Sequence, residues 1–156
     1  MKKTNVMRLL DQAEISYTSL EYEYDENDLS GGKAAEEMML PKDQVFKTLV
    51  TRGSKGGIYV FCIPVNTELD LKKAAEHAGE KKIEMIHVKE LLGLTGYIRG
   101  GCSPIGMKKK YPTFIDETAS LFDTIAVSGG QRGVQVMLSP FDLADYTSAK
   151  MCDIGF

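Results

Sequence analysis

The chain has 156 residues, of which 43% are apolar and 26% charged, with a formal net charge of −3 and three cysteines. A chain this long buries about two-thirds of its unfolded surface, so a single domain over residues 1–156 is expected to fold without a metal or disulfide staple. The acidic balance excludes a globally basic nucleic-acid binder and argues against DNA as a partner. No apolar run approaches the roughly 20 residues of a membrane span.

Met1 to Arg8 lack the apolar stretch of a secretory signal, and an odd cysteine count without a close pair argues for a reducing compartment. The expected location is cytoplasmic, with no zinc site and no cofactor.

Along the chain, Thr4 can cap a first helix in which Val6, Leu9, Leu10 and Ala13 recur at helical spacing. Tyr17 to Tyr24 alternates as a strand. An acidic cluster follows (Glu21, Glu23, Asp25, Glu26 and Asp28), then Ser30 ahead of a short helix, Lys33 to Met39, that Pro41 stops. Phe46 to Thr51 and Ile58 to Pro64 are apolar and β-branched, and the glycine-rich segment 53–57 makes them a hairpin. Asp70 caps a helix from Leu71 to Ala78, closed by Gly79.

Ile83 to Ile86 reads as a short strand and Val88 to Leu92 as a short helix ended by Gly93. Beyond Gly100 the chain becomes strand-rich: Thr113 to Asp116, Thr124 to Ser128 and Val134 to Leu138. Ser139-Pro140-Phe141-Asp142 is a helix start with a cap and a proline at the first helical position, and Ala149 to Ile154 is a last strand. Strands and helices mix without a βαβ alternation. The expected class is therefore α+β, with a curled or barrel-like mixed sheet and helices outside it.

Lys47 is the first candidate for chemistry. Strand alternation places it on one face with Val45 and Leu49, where a cation is costly unless an anionic or polar group meets it. The bland alternative is an edge lysine that snorkels to water. Gly100-Gly101-Cys102-Ser103-Pro104-Ile105-Gly106 can bring backbone amides close to an oxyanion or phosphate, or be a plain tight turn.

The turn Ser128-Gly129-Gly130-Gln131-Arg132-Gly133 reads alone as a hairpin end with an ordinary exposed Arg132. His77 and His87 fit surface or packing roles. Cys102 has no base beside it and fits a small, half-buried residue better than a nucleophile. Lys108-Lys109-Lys110, with Arg99 nearby, is either solvated surface or a local phosphate contact.

Together these segments resemble the YbaK family of aminoacyl-tRNA deacylases, related to the editing domain inserted in bacterial prolyl-tRNA synthetases. The resemblance covers nearly the whole chain and rests on Val45 to Leu49, Leu69 to Ala74, Thr95-Gly96-Tyr97, Gly100 to Gly106 and Val127 to Gly133. It implies deacylation of Cys-tRNA(Pro) and Cys-tRNA(Cys), with Lys47, Tyr22 and Gly101 as catalytic positions. Thr48, Gly100, Ser103, Ser128, Gly129 and Gln135 would contact substrate.

The implied partners are the acceptor end of aminoacyl-tRNA and prolyl-tRNA synthetase. The implied chemistry is attack by the substrate's own thiol on its ester. Gln135 stands where close relatives carry aspartate. Two alternatives therefore stay open: a water-dependent deacylase for another mischarged tRNA such as Ala-tRNA(Pro), and a non-catalytic module that binds tRNA or a nucleotide.

Overall fold

A computed structural model describes residues 2–156. Five helices and eight strands run in the order α1 (Asn5–Gln12), β1 (Tyr17–Glu21), α2 (Gly31–Met38), β2 (Phe46–Gly53), β3 (Ile58–Pro64), α3 (Leu71–Ala78), β4 (Ile83–Met85), α4 (Val88–Thr95), β5 (Thr113–Asp116), β6 (Ile125–Ser128), β7 (Val134–Leu138), α5 (Pro140–Thr147) and β8 (Lys150–Cys152). The α+β mixture is the expected one. Two short 3-10 turns, Lys42–Gln44 and Glu117–Leu121, are additional to it.

The strands form two sheets. One has the order β4-β2-β3-β5-β8 and is mixed: β4, β2 and β3 run antiparallel, whereas β5 and β8 add in parallel. The other, β1-β7-β6, is antiparallel throughout. They meet at one parallel bridge between Val45 and Ala126, beside which the Gln44 side-chain amide donates to the Thr124 carbonyl at 2.9 Å. The strands thus turn from one sheet into the other at the start of β2 without closing a barrel.

Helix limits follow side-chain chemistry. Thr4, Ser30, Asp70 and Ser139 each accept first-turn amides and start α1, α2, α3 and α5. The fourth helix outruns its expected stop: Gly93 sits inside α4, which ends at Gly96 with φ +86°. A lone interior glycine costs only about 1 kcal/mol. The stronger stop is Thr95, whose hydroxyl donates to the Leu91 carbonyl and accepts the Tyr97 amide.

Two larger cores and a small one hold the layers. Val6, Met7 and Leu10 of α1 pack with Ile125, Val127, Val136 and Leu138 of the smaller sheet. Ala74 and Ala75 of α3 cover Phe61, Ile63 and Phe114 of the larger. Ala35, Val45 and Ala126 form the third, where α2 lies over the junction of the sheets. At that junction the layers cannot fill all the space, and a cavity opens.

Candidate functional site

The cavity, of about 340 Å³, is built from five parts of the fold. The start of β2 contributes Lys47 and Thr48, and the end of β1 contributes Tyr22. The first turn of α2 brings Ser30, Gly31 and Gly32. Arg99, Gly100 and Cys102 come from the loop after α4, and Ser128 and Gln135 from a facing pair on β6 and β7. Of the expected site residues, Lys47, Tyr22, Thr48, Gly100, Ser128 and Gln135 line the cavity; Gly101, Ser103 and Gly129 do not.

Lys47 is half-buried. Burial holds its ammonium below the ordinary lysine value, and the charge of Glu68 pulls the other way. Among the described residues no carboxylate lies within 4 Å of it, and none lines the cavity. A half-buried cation with no counterion among the described residues is a charge placed to meet something that arrives from outside.

Next to it, α2 supplies amide donors. Ser30 Oγ accepts the Lys33 amide at 3.2 Å, but the amides of Gly31 and Gly32 have no acceptor within a helix's own bonding pattern. A side chain at Gly31 would collide with Val65, its Cβ falling 2.3 Å from Val65 Cγ1. Glycine there lets the helix end press against β3 beside Lys47. A helix N-terminus and an ammonium group on one wall form a site for an anion.

On the opposite wall, Gln135 is buried and its Oε1 has no hydrogen-bond partner among the described residues. Ser128 Oγ accepts the Gly130 amide at 3.2 Å and so has its own proton left to donate.

Three expected site residues have a supporting place instead. A Cβ on Gly101 would stand 3.1 Å from the Arg132 amide nitrogen, so this glycine lets the loop lie flat on the 129–133 turn. Ser103 is fully buried and accepts the Ile105 amide. Gly129 lies under Val134, with its amide bonded to the Val134 carbonyl at 2.9 Å. Arg132 is half-buried rather than exposed, and its Nε donates to the Arg99 carbonyl at 2.9 Å, tying the two glycine loops together.

Cys102 reaches the cavity wall, but burial pushes its thiol up to about 12. Neither His77 nor His87 lines the cavity; His87 starts α4, where the Glu90 carboxylate accepts its amide. The polar and backbone-donating cavity residues outside the expected set include Arg99, Ser30 and the glycines of α2. The signal for the latter was present: Ser30 followed by two glycines at a helix start.

The partnerless cation and the helix start beside it make the cavity a site suited to an anionic ligand. The family model for the aminoacyl-tRNA editing domain matches residues 30–146, and the chain belongs to that family. It is 47% identical over 153 residues to EbsC of Enterococcus faecalis, which carries the provisional name Cys-tRNA(Pro)/Cys-tRNA(Cys) deacylase; the match covers 98% of this chain and 93% of that protein.

Two solved structures share the fold. A hypothetical protein, APE2540, superposes with a TM-score of 0.89 at 22% identity, over 98% of this chain and 100% of that one. A candidate trans-editing enzyme for prolyl-tRNA synthetase does so with 0.81 at 23% identity, over 100% and 99%.

Proposed function

We propose that the chain is a trans-editing deacylase that removes cysteine from Cys-tRNA(Pro) and Cys-tRNA(Cys). In this reading residues 1–156 act as one editing domain, in the cytoplasm and alongside prolyl-tRNA synthetase. The observation that carries it is the half-buried Lys47 ammonium, without a counterion among the described residues, in a cavity edged by glycine amides and lined by no carboxylate. The name of the Enterococcus relative supports the substrate, and the description of the trans-editing neighbour supports the partner.

The lining of the cavity supports a cleavage step that does not activate water. No histidine or carboxylate lines it to activate water, and Cys102 stays protonated. The nucleophile within reach is the substrate's own thiol. Its sulfur attacks the ester carbonyl, a C–S bond forms and the ester C–O bond breaks. The thiol's proton ends on the ribose oxygen, leaving tRNA and a cyclic cysteine thioester.

An intramolecular nucleophile has an effective concentration of order 10⁵–10⁸ M when well oriented, so holding the substrate does most of the work. Lys47 and the amides of Gly31 and Gly32 take the ester oxygen or the adjacent phosphate. Ser128 and Gln135 orient the aminoacyl group, Tyr22 and Thr48 shape the cavity, and Gly100 closes it. Gly101 acts through the loop it packs.

Single-turnover deacylation of Cys-tRNA(Pro), Cys-tRNA(Cys), Ser-tRNA(Pro) and Ala-tRNA(Pro) tests this. The cysteinyl esters should be cleared about 10² times faster than the seryl ester, which differs only in the attacking atom. Equal rates for Ser-tRNA(Pro) would rule out thiol attack. Fastest clearance of Ala-tRNA(Pro) would make the enzyme a water-dependent deacylase. Retention of tRNA without a shorter ester lifetime would leave a binding module.

A further inference from the structure

A second groove lies on the far side of the loop that forms one wall of the cavity. It has a volume of about 360 Å³, and its walls include Pro104, Lys109, Lys110, Tyr111 and Tyr146. Cys102 lines the first cavity and Pro104 the second, so the two linings share this loop, two residues apart in the chain. The loop between them is pinned: Ser103 and Ile105 are fully buried, and the Tyr97 hydroxyl donates to the Ile105 carbonyl.

Three consecutive lysines, Lys108, Lys109 and Lys110, stand at this groove, and two of them line it. The ion pairs among the described residues use Lys3, Lys33, Lys42, Arg52, Lys73 and Lys82. Lys108, Lys109 and Lys110 are exposed and belong to none of them, although the protein is acidic overall. No carboxylate lines the groove. Its two threonine hydroxyls are turned inward, Thr113 to the Tyr111 carbonyl and Thr147 to the Leu143 carbonyl. The Tyr111 hydroxyl donates to the Leu94 carbonyl, and Lys110 makes one side-chain hydrogen bond, with Ser148 Oγ.

We propose that this groove receives the phosphodiester backbone of the substrate RNA behind its aminoacylated end, with Lys109 and Lys110 on phosphates and the tyrosines forming an apolar wall. The proposal rests on the deacylase reading and extends it to a second contact. Basic side chains beside aromatic ones are the usual means of holding single-stranded nucleic acid without reading its sequence. They also answer the electrostatic problem of an acidic protein with a polyanionic substrate: the attraction is local, placed one loop away from the reacting ester.

The test is the double variant Lys109→Ala/Lys110→Ala, assayed on Cys-tRNA(Pro) and on the cysteinyl ester of adenosine, which lacks the RNA body. The ratio of kcat/KM for the tRNA to that for the small ester should fall about tenfold. The slope of log affinity for tRNA against log salt should become shallower by about 1.5, as expected when two phosphate contacts are lost. Equal losses on both substrates would mean a structural defect and overturn the proposal, as would an unchanged tRNA affinity and salt slope.

Binding of uncharged tRNA, followed by fluorescence anisotropy, separates this proposal from the deacylase reading. A salt slope present in the wild type and reduced in the variant upholds the groove even if no ester is cleaved. A wild type that does not bind tRNA ends the proposal.

Discussion

The two ends of β2 use the same residue types for opposite purposes. At the hairpin end, Arg52 pairs with Glu90 at 2.9 Å. The Glu80 carboxylate accepts the Tyr59 hydroxyl at 2.6 Å and the Ser54 hydroxyl at 3.1 Å. At the cavity end, among the described residues, Lys47 has no counterion and the Gln135 Oε1 no donor. Two turn glycines also differ: nothing stands within 4 Å of a Cβ built on Gly56 in the β2–β3 hairpin, whereas one on Gly133, in the turn before β7, meets the Tyr22 carbonyl oxygen at 2.8 Å. Satisfied polar groups mark the end that holds the fold together, and unsatisfied ones mark the end left for a ligand.

The largest effect that sharpens this contrast is on Lys47. Lys47→Ala should slow single-turnover clearance of Cys-tRNA(Pro) by about 10²–10³-fold, the size of losing one preorganised electrostatic contact. The fold should not suffer. Because burial lowers the folded-state value of this amine, the unfolded chain binds more protons in the window between the two values. The charged lysine is therefore a cost at neutral pH, relieved only as pH rises through its lowered value. Lys47→Met should melt no lower than the wild type. Wild-type clearance by Lys47→Ala would remove this residue from the mechanism.

A smaller effect separates the two glycines. Both have positive φ, +91° at Gly56 and +80° at Gly133, so each alanine variant loses about 1–2 kcal/mol to backbone strain. Gly133→Ala adds a clash with the backbone that carries Tyr22, bringing the loss to about 3 kcal/mol, and it should slow deacylation by displacing the cavity wall. Gly56→Ala should leave deacylation alone. Urea melts and rates on both variants decide it; equal losses of activity would show that the turns are not functionally distinct.

Much of this was legible in the sequence because it depends on local signals. Caps at Thr4, Ser30, Asp70 and Ser139 and the glycine-rich hairpin set the element limits to within a few residues. The inward turn of Lys47 followed from alternation on an apolar strand. What was not legible needed contacts across the chain. The division into two sheets depends on one bridge between residues 81 positions apart, Val45 and Ala126.

Arg132 reads as an exposed turn residue until the Arg99 carbonyl, 33 positions away, is placed against it. Gly101 and Gly129 are required by the backbones packed over them, not by a ligand seen along the strand. The resemblance pointed to the loop as a unit; it could not say which glycine lines the cavity and which one seats the loop.

The smallest effect concerns the hairpin end and depends on pH. Glu80 is held below its ordinary value of 4.5, chiefly by the Tyr59 hydroxyl, with burial opposing. A carboxylate lowered in the folded state contributes stability that is fully present above its ordinary value and is lost as pH falls through the lowered one. Glu80→Gln retains an acceptor for Tyr59 and removes the titration. Its urea midpoint should therefore be slightly below the wild type's at pH 7, and the gap should close by about pH 3. Deacylation at neutral pH should not respond, because Glu80 lies outside the cavity. Parallel stability curves across that window would mean that the Tyr59 contact does not distinguish the two charge states, and a fall in deacylation would show that the hairpin end is coupled to the site.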